Sequence, residues 1–464
     1  MNNTLHTILI TILLLSSGSV FAQSITGDWY GSLNVQGMNM KLVFHIMEND
    51  DGYSATFDSP GQGASGIPFT SAVRNENTIT LSADNIAATY TAALENEKLN
   101  GIWKQGVNEF ELVMSRTDKE IKGPNRPQEP NGVLPYKAEK VFFENSAADI
   151  SLAGTLTLPE GNGPFPAVIL ISGSGPQDRD EYFMGHRPFL VIADHLTRQG
   201  IAVLRYDDRG FGESTGNHGT ASSLDFATDA ASAVAFLKTR SEIDNRHIGL
   251  AGHSEGGLIA PIVAADNAEV AFIILLAGPG VSGVEIQKQQ IDSFAPMMGL
   301  SPDQIKEEKH NIEQIAAIVR ETDLGEELNQ KITEFFLSKM PQGDTFMGMN
   351  KEEFISQKLM ELNRPWYKYF IDHDPAEFLK EVNVPILAIN GSKDIQVSPQ
   401  NLENIREATS HNDQVTITEY PEMNHLFQKC NSCMMSEYPD IETTISPIVL
   451  EDMSKWIWDN IQLK

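Results

Sequence analysis

The sequence predicts two folded domains: a small all-β barrel or sandwich over residues 23–118, and an α/β domain over 136–464 on a mostly parallel eight-stranded sheet, with a helical cap inserted at 283–374. Three observations carry this. Short alternating apolar runs broken by turn residues fill the first part, a polar Gly- and Pro-rich stretch follows, and strand-like runs then alternate with helical patterns. A chain of 464 residues is also longer than one ordinary core accommodates.

Residues 1–22 carry no Asp, Glu, Lys or Arg. The apolar run 8–15 is followed by Ser16, Ser17 and Gly18, and Val20-Phe21-Ala22 fits a small-x-small cleavage site. A signal peptide removed before Gln23 is expected, with the mature chain periplasmic or secreted and not stably inserted in a membrane. The net charge of −29 argues against nucleic acid, whose binding needs clustered Lys and Arg.

The runs 28–33, 40–47, 53–57, 78–82, 88–93, 99–104 and 110–114 are too short and too regular in alternation for helices, hence the β domain. Residues 119–135, with Gly123-Pro124, Pro127, Pro130 and Gly132, have linker composition. Beyond Tyr136, 141–143 and 150–158 suggest an opening hairpin. The runs 167–171, 201–206, 248–251, 271–276, 386–389 and 415–420 read as buried strands. Amphipathic stretches such as 226–237 and 449–461 supply covering helices. Within the cap, 302–320 and 324–339 read as helices and 343–348 as a loop.

The strongest chemical signal is Gly252-His253-Ser254-Glu255-Gly256, set between a strand and the helical run 258–265. Glycines there permit the strained turn that lifts a serine hydroxyl above a sheet edge. Pro261 is expected to kink that helix or remove one backbone bond. Asp394 follows the seventh strand candidate and His425, of the 11 histidines, follows the eighth. Nucleophile, acid and base thus stand in the order Ser254, Asp394, His425. The backbone amides of Glu255 and Ser174, with Gly175 as second choice, are expected to hold an oxyanion. Trp366, Tyr367 and Phe370 are candidates for the substrate pocket and equally for core. The only two cysteines, Cys430 and Cys433, are expected to form a local disulfide; neither metal nor cofactor is expected.

Four motifs are similar to those of bacterial exported α/β-hydrolases of the serine-aminopeptidase-like and carboxylesterase group. They are Ser172-Gly173-Ser174-Gly175-Pro176-Gln177-Asp178-Arg179-Asp180, Tyr206-Asp207-Asp208-Arg209-Gly210-Phe211-Gly212-Glu213-Ser214, Gly252-His253-Ser254-Glu255-Gly256-Gly257 and Asn424-His425-Leu426-Phe427-Gln428. The amino-terminal part, with Gly27-Asp28-Trp29 and Gly101-Ile102-Trp103, resembles the β domain ahead of such hydrolases. The resemblance implies the α/β-hydrolase fold, the same triad and no cofactor. Three functions follow as expectations. The first is hydrolysis of a small-molecule carboxylic ester through an acyl-enzyme. The second is cleavage of an amide in a short peptide, with cap acids such as Glu307, Glu308 and Glu352 receiving an ammonium. The third is binding of an envelope component through the β domain and its Trp29 and Trp103.

Overall fold

The computed structural model describes residues 24–461 apart from 36–37, 50–51, 60–63, 107, 118–124, 342, 344 and 347–348. The leader read at 1–22 lies outside the described residues, as does 119–124 of the linker reading. Two compact units part between residues 121 and 122.

The first unit is one nine-stranded antiparallel sheet. Its strands are β1 (Gly27–Val35), β2 (Met38–Asn49), β3 (Gly52–Ser59), β4 (Ala64–Pro68), β5 (Ser71–Asn75), β6 (Thr78–Ala83), β7 (Ala88–Glu95), β8 (Lys98–Gln105) and β9 (Asn108–Ser115), in the spatial order β4-β3-β2-β1-β9-β8-β7-β6-β5. The sheet curls until β5 lies against β3, with the Phe69 amide donating to the Ala55 carbonyl at 3.0 Å. This is barrel-like curvature, not a two-sheet sandwich. Strands β4 and β5 are additions to the seven runs read from sequence. β5 alternates between exposed and half-buried positions and buries no residue, so it lacks the apolar alternation that marks a strand. The inner face is aromatic: Phe44 meets Phe69 and Tyr90 edge-on, each 5.2 Å away. Trp29 and Trp103 are 0% and 2% exposed, so both are core residues and present no ring to a partner.

The second unit opens with β10 (Lys137–Asn145), β11 (Ile150–Leu158) and β12 (Phe165–Ile171). There follow α1 (Pro188–Arg198), β13 (Ala202–Tyr206), α2 (Ser223–Lys238), β14 (Ile243–His253), α3 (Gly256–Asp266) and β15 (Phe272–Leu276). The chain then leaves the sheet through α4 (Gly283–Met297), α5 (Pro302–Glu321), α6 (Glu326–Lys339), a short hairpin β16 (Thr345–Phe346) and β17 (Met349–Asn350), α7 (Lys351–Leu362), α8 (Pro365–Asp372) and α9 (Ala376–Leu379). It returns as β18 (Ile386–Gly391), α10 (Asn401–Ala408), β19 (Val415–Tyr420) and α11 (Pro447–Ile461). The hairpin replaces part of the loop expected at 343–348.

The eight strands lie in the order β10-β11-β13-β12-β14-β15-β18-β19. β11 runs antiparallel to β10 and β13, and every later pairing is parallel. Alternate side chains feed two cores. Ile169, Leu204, Leu250 and Ile273 join Ala230 and Val234 of α2 and Ile259 of α3 on one face. Val168, Val203, Ala251 and Ile274 join Ile192 of α1 and Met453 and Ile457 of α11 on the other. Burial on both faces explains why these strands read as continuous apolar runs. The inserted helices have a core of their own, with Ala316, Val319, Leu328, Ile332 and Ile371 nearly inaccessible. Helix α3 continues through Pro261 to Asp266, so the proline does not end it.

Residues 125–136 are attached to the second unit, contrary to their linker composition. Arg126 donates from Nε to the Gly185 carbonyl at 2.8 Å and from Nη2 to the Pro439 carbonyl at 2.9 Å, and its Nη1 reaches the Ile441 carbonyl. Gln128 donates to the Ile445 carbonyl at 2.7 Å and accepts from the Thr444 amide at 2.7 Å. Tyr136 donates to Asp194 at 2.8 Å. Hydrogen bonds to charged groups contribute about 1.5–3 kcal/mol each, net. A chain starting at Asn125 is therefore expected to melt several degrees higher than one starting at Tyr136, as followed by circular dichroism; equal midpoints would show that these contacts contribute nothing.

Candidate active site

The turn between β14 and α3 is forced by close packing. A Cβ on Gly252 would stand 1.9 Å from the Gly256 carbonyl oxygen, and one on Gly256 would stand 2.1 Å from the Ile171 carbonyl oxygen of β12. Neither position admits a side chain without moving backbone. Ser254 takes up the turn in the left-handed region, with φ of 53°. Its amide donates to the Leu276 carbonyl at 2.9 Å, and its carbonyl accepts from the Gly257 amide at 2.9 Å. The hydroxyl of Ser254 thus sits where α3 begins, at the positive end of the helix.

Asp394 lies just beyond β18. Its Oδ1 accepts the amides of Gln396 at 2.8 Å and Val397 at 3.0 Å, which fixes the carboxylate and leaves Oδ2 to meet His425 Nδ1 at 2.7 Å. The two side chains are 0% and 5% exposed. A carboxylate opposite Nδ1 assigns the proton to that nitrogen and leaves Nε2 a lone pair. The turn carrying His425 is shaped by buried Asn424, whose Oδ1 accepts the amides of Leu426 at 3.1 Å and Gln428 at 3.0 Å.

Ser254 and His425 line one cavity of about 320 Å³. Ser174, Trp366, Tyr367 and Phe370 line it as well, whereas Gly175 does not. Trp366 stacks on Phe370 with centroids 5.0 Å apart, and Tyr367 is also part of the core of the inserted helices. The cavity and core readings of these aromatics therefore hold together. The cap acids Glu307, Glu308 and Glu352 are exposed and do not line the cavity; the cap acid that does is Glu361.

Several buried charges that sequence reading passed over build the walls. Glu255 accepts the Ser223 hydroxyl at 2.6 Å and the Trp366 indole N–H at 2.7 Å, so the residue after Ser254 also seats α8. Burial pushes its carboxyl upward, against the pull of those donors. Asp208 accepts the Ser172 hydroxyl at 2.6 Å and the Gln177 amide at 2.8 Å, pinning the loop that carries Ser174; burial drives its carboxyl well up. Asp207 takes a two-pronged bond from Arg179, at 2.9 and 2.6 Å. Asp229 takes another from Arg209, at 2.7 and 2.9 Å. The motif residues 206–214 thus act as scaffold. Glu181 accepts the Gly173 amide at 2.8 Å and faces His253 Nδ1 at 2.9 Å, while His253 Nε2 faces the His425 carbonyl at 3.1 Å. Nothing in the spacing of Glu181 marks this role; the neighbouring motif 172–180 was the available signal.

Cys430 and Cys433 are joined in a disulfide. The loop they close rests on Glu437, whose carboxylate accepts the amides of Asn431, Ser432 and Cys433, each at 2.8 Å.

A sheet ordered and paired in this way, with a serine turn after its fifth strand and an insertion before its seventh, gives the unit spanning 122–464 the α/β-hydrolase fold. Within that class, residues 187–340 match the family described as "Serine aminopeptidase, S33". The chain is 29% identical over 294 residues to Esterase EstD of Thermotoga maritima, a match that takes in 63% of this chain and 62% of that one. Among solved structures it is similar to the Pyrococcus furiosus esterase Pf2001 at 16% identity, covering 72% of this chain and 99% of that one with a TM-score of 0.42. It is also similar to Est1E of Butyrivibrio proteoclasticus, solved with ferulic acid, at 18% identity, 69% and 99% coverage and a TM-score of 0.41.

The Glu437 nest has a pH signature. Burial opposes ionisation, yet the three amides and the Ser432 hydroxyl hold the carboxyl at about 2, below its ordinary 4.5. A depressed carboxyl contributes stability that is present above the unfolded value and is lost as pH falls toward the folded one. Urea denaturation of Glu437→Gln against the parent should show a deficit at about pH 6 that disappears near pH 2. A deficit of the same size at both would remove the charge from the argument.

Proposed function

We propose that this protein is a serine hydrolase that cleaves carboxylic esters through an acyl-enzyme, with Ser254 as nucleophile, His425 as base and Asp394 as the group that orients the base. The observation that carries the reading is the buried 2.7 Å contact of Asp394 Oδ2 with His425 Nδ1, on a histidine that shares its cavity with Ser254. With Nδ1 protonated, Nε2 can take the proton of the Ser254 hydroxyl as its oxygen attacks the ester carbonyl. The amides of Glu255 and Ser174 face the charge that develops on the carbonyl oxygen, and the start of α3 adds its positive end. The C–O bond to the alcohol breaks as His425 returns the proton to it. Water, deprotonated by the same nitrogen, then releases the acid and restores Ser254. Trp366 and Phe370 give the acyl or alcohol part an apolar wall. Export with removal of the leader is part of the proposal; a disulfide at Cys430 and Cys433 suits an oxidising compartment.

The match to a family described as serine aminopeptidase favours a second reading, in which the same groups cleave an amide. A panel of p-nitrophenyl esters of graded acyl length against aminoacyl p-nitroanilides separates the two. The expected result is ester turnover at least a hundredfold above anilide turnover, roughly 2.7 kcal/mol in favour of the ester transition state; the reverse order would move the assignment to aminopeptidase.

Ser254→Ala should reduce ester hydrolysis to background without loss of fold. Asp394→Asn should cost on the order of 10⁴ in kcat by favouring the wrong imidazole tautomer. Steady-state kinetics on both variants decides the point, and retention of a tenth of the parent rate by either would remove that residue from its role.

A further inference from the structure

His253 precedes the nucleophile and has no part in the mechanism above, yet it is 7% exposed and its ring lies 4.6 Å from that of His425. Its two nitrogens face two acceptors. Nδ1 is 2.9 Å from Glu181 Oε1, and Nε2 is 3.1 Å from the backbone carbonyl of His425. A carbonyl oxygen has no proton to give, and Glu181 Oε1 already receives the Gly173 amide at 2.8 Å. The carbonyl thus takes a proton from Nε2, and with Glu181 as a carboxylate the Nδ1 contact takes a second, which makes the ring an imidazolium. Glu181, 3% exposed, supplies the counter-charge.

We propose that His253 is a positioning residue for His425: held as an imidazolium by Glu181, it anchors the His425 backbone by hydrogen bond and ties that anchor to the Gly173–Ser174 turn through the shared carboxylate oxygen. The proposal rests on the reading of Ser254 and His425 given above. Glu181 Oε1 then touches two of the three elements that converge on Ser254, the loop after β12 and the end of β14, and His253 carries the connection to the loop after β19. The charge pattern agrees. Burial disfavours the imidazolium, but Glu181 foremost, with the His425 carbonyl and the charge of Asp394, raises the pKa of His253 above its ordinary value. The other buried groups nearby are Asp208 and Glu255, both carboxyls pushed upward by burial, and His425 itself.

The sign of the pH dependence follows. A histidine with a raised pKa keeps its proton to a higher pH than a free one and loses it as pH rises through the folded value, so the anchor fails on the alkaline side.

Three measurements test this. Long-range ¹H–¹⁵N NMR of the full chain with ¹⁵N-labelled histidine should show, near pH 7, a ring with two protonated nitrogens whose signal vanishes in His253→Gln; this readout requires no catalytic activity. His253→Gln should lower kcat roughly ten- to a hundredfold with KM within about twofold, the range a small misplacement of a catalytic group produces. Glu181→Gln keeps an acceptor of the same shape but removes the charge, so the alkaline limb of kcat/KM should move down by about one pH unit or more. A singly protonated His253 near pH 7, or an unchanged kcat in His253→Gln, or an unmoved alkaline limb in Glu181→Gln each overturns the proposal. Should Ser254→Ala retain activity while the NMR signal is present, the catalytic reading falls and the positioning role falls with it, although the imidazolium stands.

Discussion

The arrangement of the site depends on how closely β12 approaches the turn between β14 and α3. At Gly256 the space for a side chain is already occupied by the Ile171 carbonyl, and at Gly252 by the backbone of Gly256. Two hydrogen atoms in place of two methyl groups let the end of one strand and the start of one helix come into contact. Ser254 has no other place to go: its neighbours fix the backbone, and a left-handed φ at a non-glycine residue is the consequence. That strain is retained because the parallel ladders on either side of β14 hold it, β12 on one flank and β15 on the other. The loop bearing Ser174 leaves β12 at the same contact, so the two candidate oxyanion donors belong to segments whose separation is set by backbone packing.

Around this contact the protein buries several ionisable side chains that are met by partners from other elements. Arg179 with Asp207 and Arg209 with Asp229 are two-pronged pairs. Such pairs add little net stability over apolar residues of the same volume, but losing one partner leaves a charge in a dry interior, at a cost of about 3–5 kcal/mol. They therefore act as selectors of geometry more than as sources of stability. Asp208 holds the loop of Ser174 and Gln177, Glu255 joins α2 to α8, and Glu181 joins the loop after β12 to His253. A wrong register in any of these segments would strand a carboxyl without its donors.

The α/β unit was legible in the sequence because its strands are buried on both faces and so read as apolar runs of strand length, separated by helical periods. The contact of Asp394 with His425 was legible because each residue follows a strand of the sheet, and the structure brings the two together as their order implies. What was not legible has physical causes. β5 buries no residue fully and turns only Ala72 to the core, so its apolar signal is too short to mark a strand. Residues 125–135 have the composition of a flexible segment, yet Arg126 and Gln128 bind carbonyls more than 300 positions further along, between Pro439 and Ile445, and no local pattern encodes such a contact. The cap acids chosen by composition point to solvent, while Glu361, one helical residue among many, lines the cavity. Glu181 and His253 were missed for a similar reason: their partners come from the chain after β12 and after β19, and sequence neighbours of a motif do not announce which of them face inward.

The inserted helices close the argument about specificity. They enter between β15 and β18, the strands that flank the end of β14 on its far side, and they return over the serine turn as α8. Trp366 is one point of attachment: its indole N–H reaches Glu255, and its ring forms cavity wall against Phe370. One residue thus ties the cap to the serine turn and shapes the cavity beside it. The lining also includes the amides Gln177, Gln287, Gln290 and Gln396, the apolar Leu258, Ile286 and Val397, and the acid Glu361, without lysine or arginine. An anionic substrate would meet no lysine or arginine there and would have to lose its hydration near the carboxyl of Glu361. On the proposed reading a neutral ester, by contrast, would set its carbonyl against the amides of Glu255 and Ser174 and its apolar part against Trp366 and Phe370, and would ask nothing of the acidic rim.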